Sequence, residues 1–315
     1  MLKEFTPDSM QRRAFYEQNY HVLTHIELLS GERKHIGSRH NRICRYCGGT
    51  PPLAKFRNVA HAFPQFIGNK SLISYDECDA CNDKFSSSID VHLARYLGIE
   101  TTIAKIPGKR GVPKYKVPGK APRLEYSAKE NMLHATAHVD DGFFEIDENR
   151  KEVKINSIRQ PYQKRSAFKC LTKMALAIMP AAELIHFRHT LDWINSEDDR
   201  LITKGLYCFR SRSVHSLQAI DAVLLKRQET SSSIPYVTFF IAFYNFTLQI
   251  FLPLCAQDAD LNKIQVCHLP SKMEKFCDVH YYIEDLSSND TVREEKNVQS
   301  FSYNGEIIKT LIGPS

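Results

Sequence analysis

The 315-residue chain has a single tryptophan and no long uninterrupted apolar run. Its longest apolar candidate, residues 235–255, is interrupted by Asn245, Thr247 and Gln249 and is rich in β-branched and aromatic residues. That composition suits buried strands better than a membrane helix. The opening stretch MLKEFTPDSMQRRAFYEQNY is charged and polar and does not resemble a signal peptide. There is no fixed-period repeat or long low-complexity tract, so a fibrous or coiled-coil assignment has no support. With 43% hydrophobic residues the chain is not expected to be disordered. A folded α+β protein in the cytoplasm, away from membranes, is the expectation.

Acidic residues are scarce in one place. Positions 1–130 hold 21 basic and 13 acidic residues, whereas positions 131–315 hold 21 and 23. The N-terminal portion can therefore attract a polyanion, and the remainder has no comparable reason to do so. Residues 105–123, KIPGKRGVPKYKVPGKAPR, supply Lys105, Lys109, Arg110, Lys114, Lys116, Lys120 and Arg123 without a single acid. A solvated loop and a phosphate-contacting arm are both consistent with this run.

The nine cysteines are an odd total, which disfavours a complete disulfide scaffold, and four of them are paired by spacing. Cys44 and Cys47 form one CxxC, and Cys78 and Cys81 form another. Each tight turn lets two thiolates approach one ion, and together they can supply four sulfur ligands to a tetrahedral structural Zn²⁺. Such a saturated shell leaves no open position for catalysis. Cys170, Cys208, Cys255, Cys267 and Cys277 lack that arrangement and are assigned to packing.

Phe15, Tyr20, Leu23 and Ile26 recur at roughly helical spacing, giving a helical lead-in over residues 1–39. Short extended segments are expected near Phe56–Phe63 and Leu72–Tyr75, followed by a helix from Asp79 to about Leu97. This small unit, residues 40–104, has little apolar material, which gives a metal staple a structural purpose. The basic run, 105–124, reads as a linker or DNA-contacting arm. Residues 125–315 read as a mixed α/β domain, with a hairpin around Asp147–Asn149, helices over 161–197 and strands beyond.

Between the cysteine pairs lies NVAHAFPQFIGNK, and after the second pair comes NDKFSSSIDVHLARYL. The stretch CRYCGG…AHAFPQFIGNK…ECDACNDKFSSSID resembles the zinc-stapled HNH endonucleases. That resemblance covers about residues 40–97 and implies a small treble-clef-like ββα-metal nuclease module with hydrolysis of nucleic-acid phosphodiesters. It further implies a divalent catalytic ion, Mg²⁺, Mn²⁺ or Ni²⁺, distinct from the structural zinc.

Residue by residue, the resemblance makes His61 the general base, since a neutral imidazole can take a proton from the attacking water. Asn82 matches the family's asparagine and can either ligate the ion or constrain the loop carrying His61. Many relatives have Asp or Glu before the histidine, but this chain has Ala60, which cannot coordinate anything. Asp90 is the first candidate for the missing anionic ligand, and His92 could be the third motif histidine and a further ligand of the ion. Asn82 and Asp90 would be separated by about 80° around one ideal helix. Arg57, Lys70, Lys84 and Arg95 are weaker phosphate-contact candidates.

Three classes stay open. The chain can be a DNA endonuclease of restriction or defence against mobile elements, with RNA as another substrate. It can be a catalytically degenerate, zinc-stabilised nucleic-acid-binding protein. It can also be a structural or partner-binding protein, with residues 125–315 taking a protein partner or signalling ligand.

Overall fold

The computed structural model describes residues 2–4, 8–29, 32–117, 122–138, 141–196, 205–229, 233–261 and 264–302. The chain opens with strand β1 (Leu2–Glu4), helix α1 (Ser9–Asn19) and strand β2 (Tyr20–Leu28). Helix α1 starts where the Asp8 carboxylate accepts the Gln11 N–H at 2.8 Å, satisfying one of the free donors of the first turn. The expected helical lead-in is thus helical only over Ser9–Asn19. Tyr20, Leu23 and Ile26 lie on a strand, because pairing with a long neighbouring strand outweighs a weak 3.6-residue spacing.

Next comes a small mixed sheet of β3 (Lys34–Ile36), β4 (Ala60–His61) and β5 (Leu72–Ser74). β5 is central, parallel to β3 and antiparallel to β4, with His61 opposite Ile73. The helix expected over 79–97 is two helices, α2 (Asp79–Ser87) and α3 (Ile89–Leu97). Ser88 breaks the run at φ −107°, ψ −73°, so a single-helix angle between Asn82 and Asp90 does not apply. Gly98, at φ +55°, turns the chain into α4 (Ile99–Ile103), a conformation glycine adopts without steric cost.

A meander of β6 (Tyr115–Lys116), β7 (Arg123–Ser127) and β8 (Met132–Thr136) follows. The expected hairpin is β9 (Phe144–Asp147) and β10 (Glu152–Arg159). After β11 (Tyr162–Gln163), helix α5 (Lys164–Ala177) is buried along almost its whole length. The short helices α6 (Ala181–Leu184) and α7 (Arg188–Asn195) follow Pro180.

The last third is strand-rich. β12 (Tyr207–Arg227) and β13 (Val237–Phe251) pair antiparallel along most of their length. β14 (Ile264–Val266) lies parallel to β1. On its other edge, β12 carries β15 (Val279–Asp285) along its first half and β2 along its second. β16 (Thr291–Val292) pairs with β11, and β17 (Glu295–Ser302) completes a sheet with β10 and β9. The fold therefore mixes helices with several separate sheets.

One apolar core joins the two ends of the sequence. Phe63, Ile67, Phe85 and Tyr96 share it with Phe168 and Met174 of α5 and with Phe239 and Phe243 of β13. The cysteine-rich segment thus lacks a private interior and is seated on α5 and the long sheet. No helix among the described residues is long and apolar enough to cross a membrane.

Candidate functional site

The four paired cysteines converge. All four sulfurs lie within 4.8 Å of one another, and no second group of three or more His, Cys, Asp or Glu side chains suited to a metal occurs among the described residues. The first pair sits in a tight turn closed by the Gly48 N–H on the Cys44 carbonyl at 2.7 Å, with Gly48 at φ +70°. The second pair starts α2, with Cys78 as its N-cap residue. Cys47 Sγ and Cys78 Sγ are 3.8 Å apart, matching the edge of about 3.8 Å expected for a tetrahedron with metal–sulfur bonds of about 2.3 Å. The Cys78 N–H also points at Cys44 Sγ, 3.5 Å away. Hydrogen bonding with Cys81 brings the Cys44 thiol down to about 4, while burial pushes Cys78 up to about 11. Four crowded sulfur donors within 4.8 Å of one another fit a structural metal ion.

His61 stands at the end of β4, half-buried, and leads into the loop Ala62–Ser71. Its Nε2 is 3.3 Å from Gln65 Nε2. With the Gln65 amide as donor, the imidazole keeps its lone pair on Nε2, the tautomer a general base needs. Burial holds the His61 pKa below the ordinary imidazole value; the Val59 carbonyl opposes this, and the Lys173 and Lys109 charges reinforce it.

Asn69 locks that loop, a role the sequence had offered to Asn82. Fully buried, its amide nitrogen donates to the carbonyls of Phe63 and Leu72 at 2.8 and 3.2 Å. Its amide oxygen accepts the N–H groups of Ser71 and Leu72 at 3.1 and 2.9 Å. The one signal available beforehand was its place after Gly68 in a turn. Asn82, by contrast, is half-buried on α2, and its side chain has no hydrogen-bond partner among the described residues.

The proposed ion ligands of α3 are engaged elsewhere. Asp90 accepts from the Cys170 thiol at 3.3 Å, and burial raises its pKa. His92 Nδ1 accepts the Gln163 N–H at 3.0 Å, so its free lone pair is spent docking α3 onto β11. Burial lowers the His92 pKa. Asp90 and His92 are thus engaged with Cys170 and Gln163, and Ala60, which is buried, offers no side-chain ligand atom.

Lys173 of α5 is the residue that links these groups. Its ammonium lies 3.1 Å from Glu77, with side chains 3% and 0% exposed. Burial favours neutral lysine, but Glu77, Tyr46 and Asp90 around it raise its pKa. Burial raises Glu77 as well, and Lys173 pulls it back. Neither Glu77 oxygen has an aligned hydrogen bond, so the contact is chiefly Coulombic. The neighbours Glu77, Tyr46 and Asp90 favour the charged lysine, and Lys173 in turn favours the charged Glu77. No spacing rule could connect Lys173 to His61, because the helix that carries it is distant in sequence.

The basic run is ordered against the His61 loop. Gly108 and Gly111 exchange backbone hydrogen bonds of 2.9 and 3.3 Å, presenting exposed Lys109 and Arg110 at the tip of a turn. A Cβ on Gly108 would come within 3.7 Å of Phe66 Cα, the residue after Gln65. Lys116 is also exposed. Lys114 and Arg123 share Glu125 at 2.6 and 3.5 Å, and Lys105 donates to Asn131. Lys120 lies outside the described residues. Lys84 and Arg95 donate to the carbonyls of Asn195 and Pro161, so both contribute to docking α2 and α3.

Residues 44–97 match the family model of HNH endonucleases. The match begins at the first cysteine of the cluster and ends at the close of α3, so the chain carries an HNH endonuclease domain with a four-cysteine group suited to a metal. No curated protein and no solved structure matches the chain.

Proposed function

We propose that this chain is an HNH-type endonuclease that hydrolyses DNA phosphodiester bonds, with a treble-clef-like module stapled by Zn²⁺ at Cys44, Cys47, Cys78 and Cys81. The observation that carries this reading is His61: its Nε2 lone pair, engaged among the described residues only by the Gln65 amide at 3.3 Å, is the acceptor a general base needs, its pKa is depressed, and the charge of Lys109 in the neighbouring cationic turn contributes to that depression. His61 would take a proton from the attacking water once Gln65 yields its place on Nε2, giving a 5′ phosphate and a 3′ hydroxyl. Lys109 and Arg110 would hold the DNA backbone, with Lys116 extending the contact; such contacts position the duplex without reading its sequence. HNH nucleases use divalent metals, and a bound Mg²⁺, Mn²⁺ or Ni²⁺ would supply charge stabilisation at the phosphate. Asp90 and His92 hydrogen-bond with Cys170 and Gln163 and Ala60 has no side-chain ligand atom, so no step is assigned through that ion.

A second reading is favoured by the same observation about ligands. With Ala60 in place of an acid, and Asp90 and His92 committed to Cys170 and Gln163, the domain would bind nucleic acid without cutting it. Incubating the protein with plasmid, linear duplex, single-stranded DNA and RNA, with each divalent ion, separates the two. Metal-dependent cleavage supports the nuclease. Binding without cleavage under every condition supports the degenerate form and rejects the first reading. Restriction or defence against mobile elements, in the cytoplasm, is the setting we assign to the nuclease.

A further inference from the structure

Two adjoining cavities open between the long β12–β15 pair and the β10–β17 pair. One has a volume of about 320 Å³ and the other about 240 Å³, and both are lined by Glu100 and Arg212. The larger borders an irregularity in strand pairing. Arg212 pairs with Phe246, but the next partners are Leu217 and Tyr244, so the β12 backbone bulges between them. Bulges of this kind redirect side chains and often border binding sites.

Charge in this region is unevenly settled. Arg210, 5% exposed, is held by Glu100 and lies 3.6 Å from Glu284. Arg159 pairs with Glu295 at 2.7 Å. The remaining Glu100 oxygen accepts Asn297 and Gln299 at 3.1 and 3.0 Å. Three carboxylates are therefore absorbed by two arginines. Arg212 donates to the neutral Gln299 oxygen and has no carboxylate partner among the described residues. An arginine buried only for packing would be expected to share a carboxylate, as its two neighbours do.

Polar atoms without partners complete the lining. Among the described residues, Asn245 Oδ1, on the larger cavity, is a buried acceptor with no donor, and Arg210 Nε, on the smaller, is a buried donor with no acceptor. Buried polar groups normally find partners, so such pairs of exceptions ask for an explanation. Phe246 and Phe301 provide an apolar wall beside them.

We propose that this cleft binds a small organic anion. Its phosphate or carboxylate would pair with the planar fork of Arg212. Its ring would lie against Phe246 and Phe301, and a hydrogen-bond donor on it would satisfy Asn245. A cavity of about 320 Å³ sits at the lower end of ordinary small-molecule sites, about 300–1,000 Å³. This assignment stands whether or not the HNH domain cuts DNA.

Isothermal titration of the full chain with adenosine 5′-monophosphate, benzoate and inorganic phosphate tests it. At least one ring-bearing anion should bind, and more tightly than inorganic phosphate. Arg212→Gln should weaken that binding about tenfold or more, as loss of a bidentate charged contact requires. Ile103→Trp, which narrows the cavity without changing charge, should weaken it too, and it decides the matter if Arg212→Gln does not fold. Replacing Lys109 and Arg110 by Ala should leave it unchanged. Absence of binding by both ring-bearing anions, equal affinity for bare phosphate, or equal affinity in the folded variants would overturn the assignment.

Discussion

The side-chain amide of Asn69 donates to the Phe63 carbonyl at 2.8 Å, tying the end of the His61 loop to its beginning. Three further hydrogen bonds from the same side chain hold Ser71 and Leu72. Asn69→Ala would leave buried carbonyl and N–H groups without partners. We expect a loss of about 2–4 kcal/mol in chemical denaturation, with zinc content unchanged. Unaltered stability would mean that this amide does not hold the loop.

Removing the metal should loosen the module as a whole. Cys44→Ser and Cys81→Ser should each lower zinc content and melting temperature, because a hydroxyl poorly replaces a thiolate ligand and metal binding is coupled to folding. Elemental analysis with thermal melting checks this, and unchanged zinc and melting in both variants would reject the staple.

Lys173 and Glu77 form a buried pair across α5 and the residue before Cys78. Lys173→Met leaves the Glu77 carboxylate without its cation in a dry interior. The expected cost is about 3–5 kcal/mol, with Glu77→Gln in the same chain recovering part of it. If the double variant is no more stable than the single one, the pair is not coupled as described.

What could be read before folding and what could not divide along physical lines. The two CxxC pairs were legible because metal geometry constrains spacing locally. The identity of Tyr20–Leu28 as a strand was not legible: its pairing with β12 lies almost 200 residues away. Ser88 hid the break between α2 and α3, since serine is compatible with either outcome. The commitments of Asp90 to Cys170 and His92 to Gln163 are tertiary contacts that no local pattern encodes. That Asn69 holds the His61 loop was not legible for a related reason, because its burial and its four hydrogen bonds exist only in the folded chain.

Lys109 and Arg110 are exposed at the tip of the turn against the His61 loop. Replacing both by Ala should weaken DNA binding and lower the slope of log affinity against log salt by about 2, close to one unit per lost phosphate contact. The zinc site should stay filled. Binding measured at several salt concentrations decides it, and an unchanged slope would place the turn away from the DNA backbone.

Cleavage by the parent and by His61→Ala, followed across pH at saturating divalent ion, tests the central claim most directly. Because burial depresses the His61 pKa, the neutral base should persist below the ordinary imidazole value. Parent activity should therefore fall on the acid side only below about pH 6.5. His61→Ala should lose about 10²–10⁴-fold in rate and its acid limb with it, while retaining zinc and DNA affinity. A variant as active as the parent, with the same pH profile, would contradict His61 as the general base.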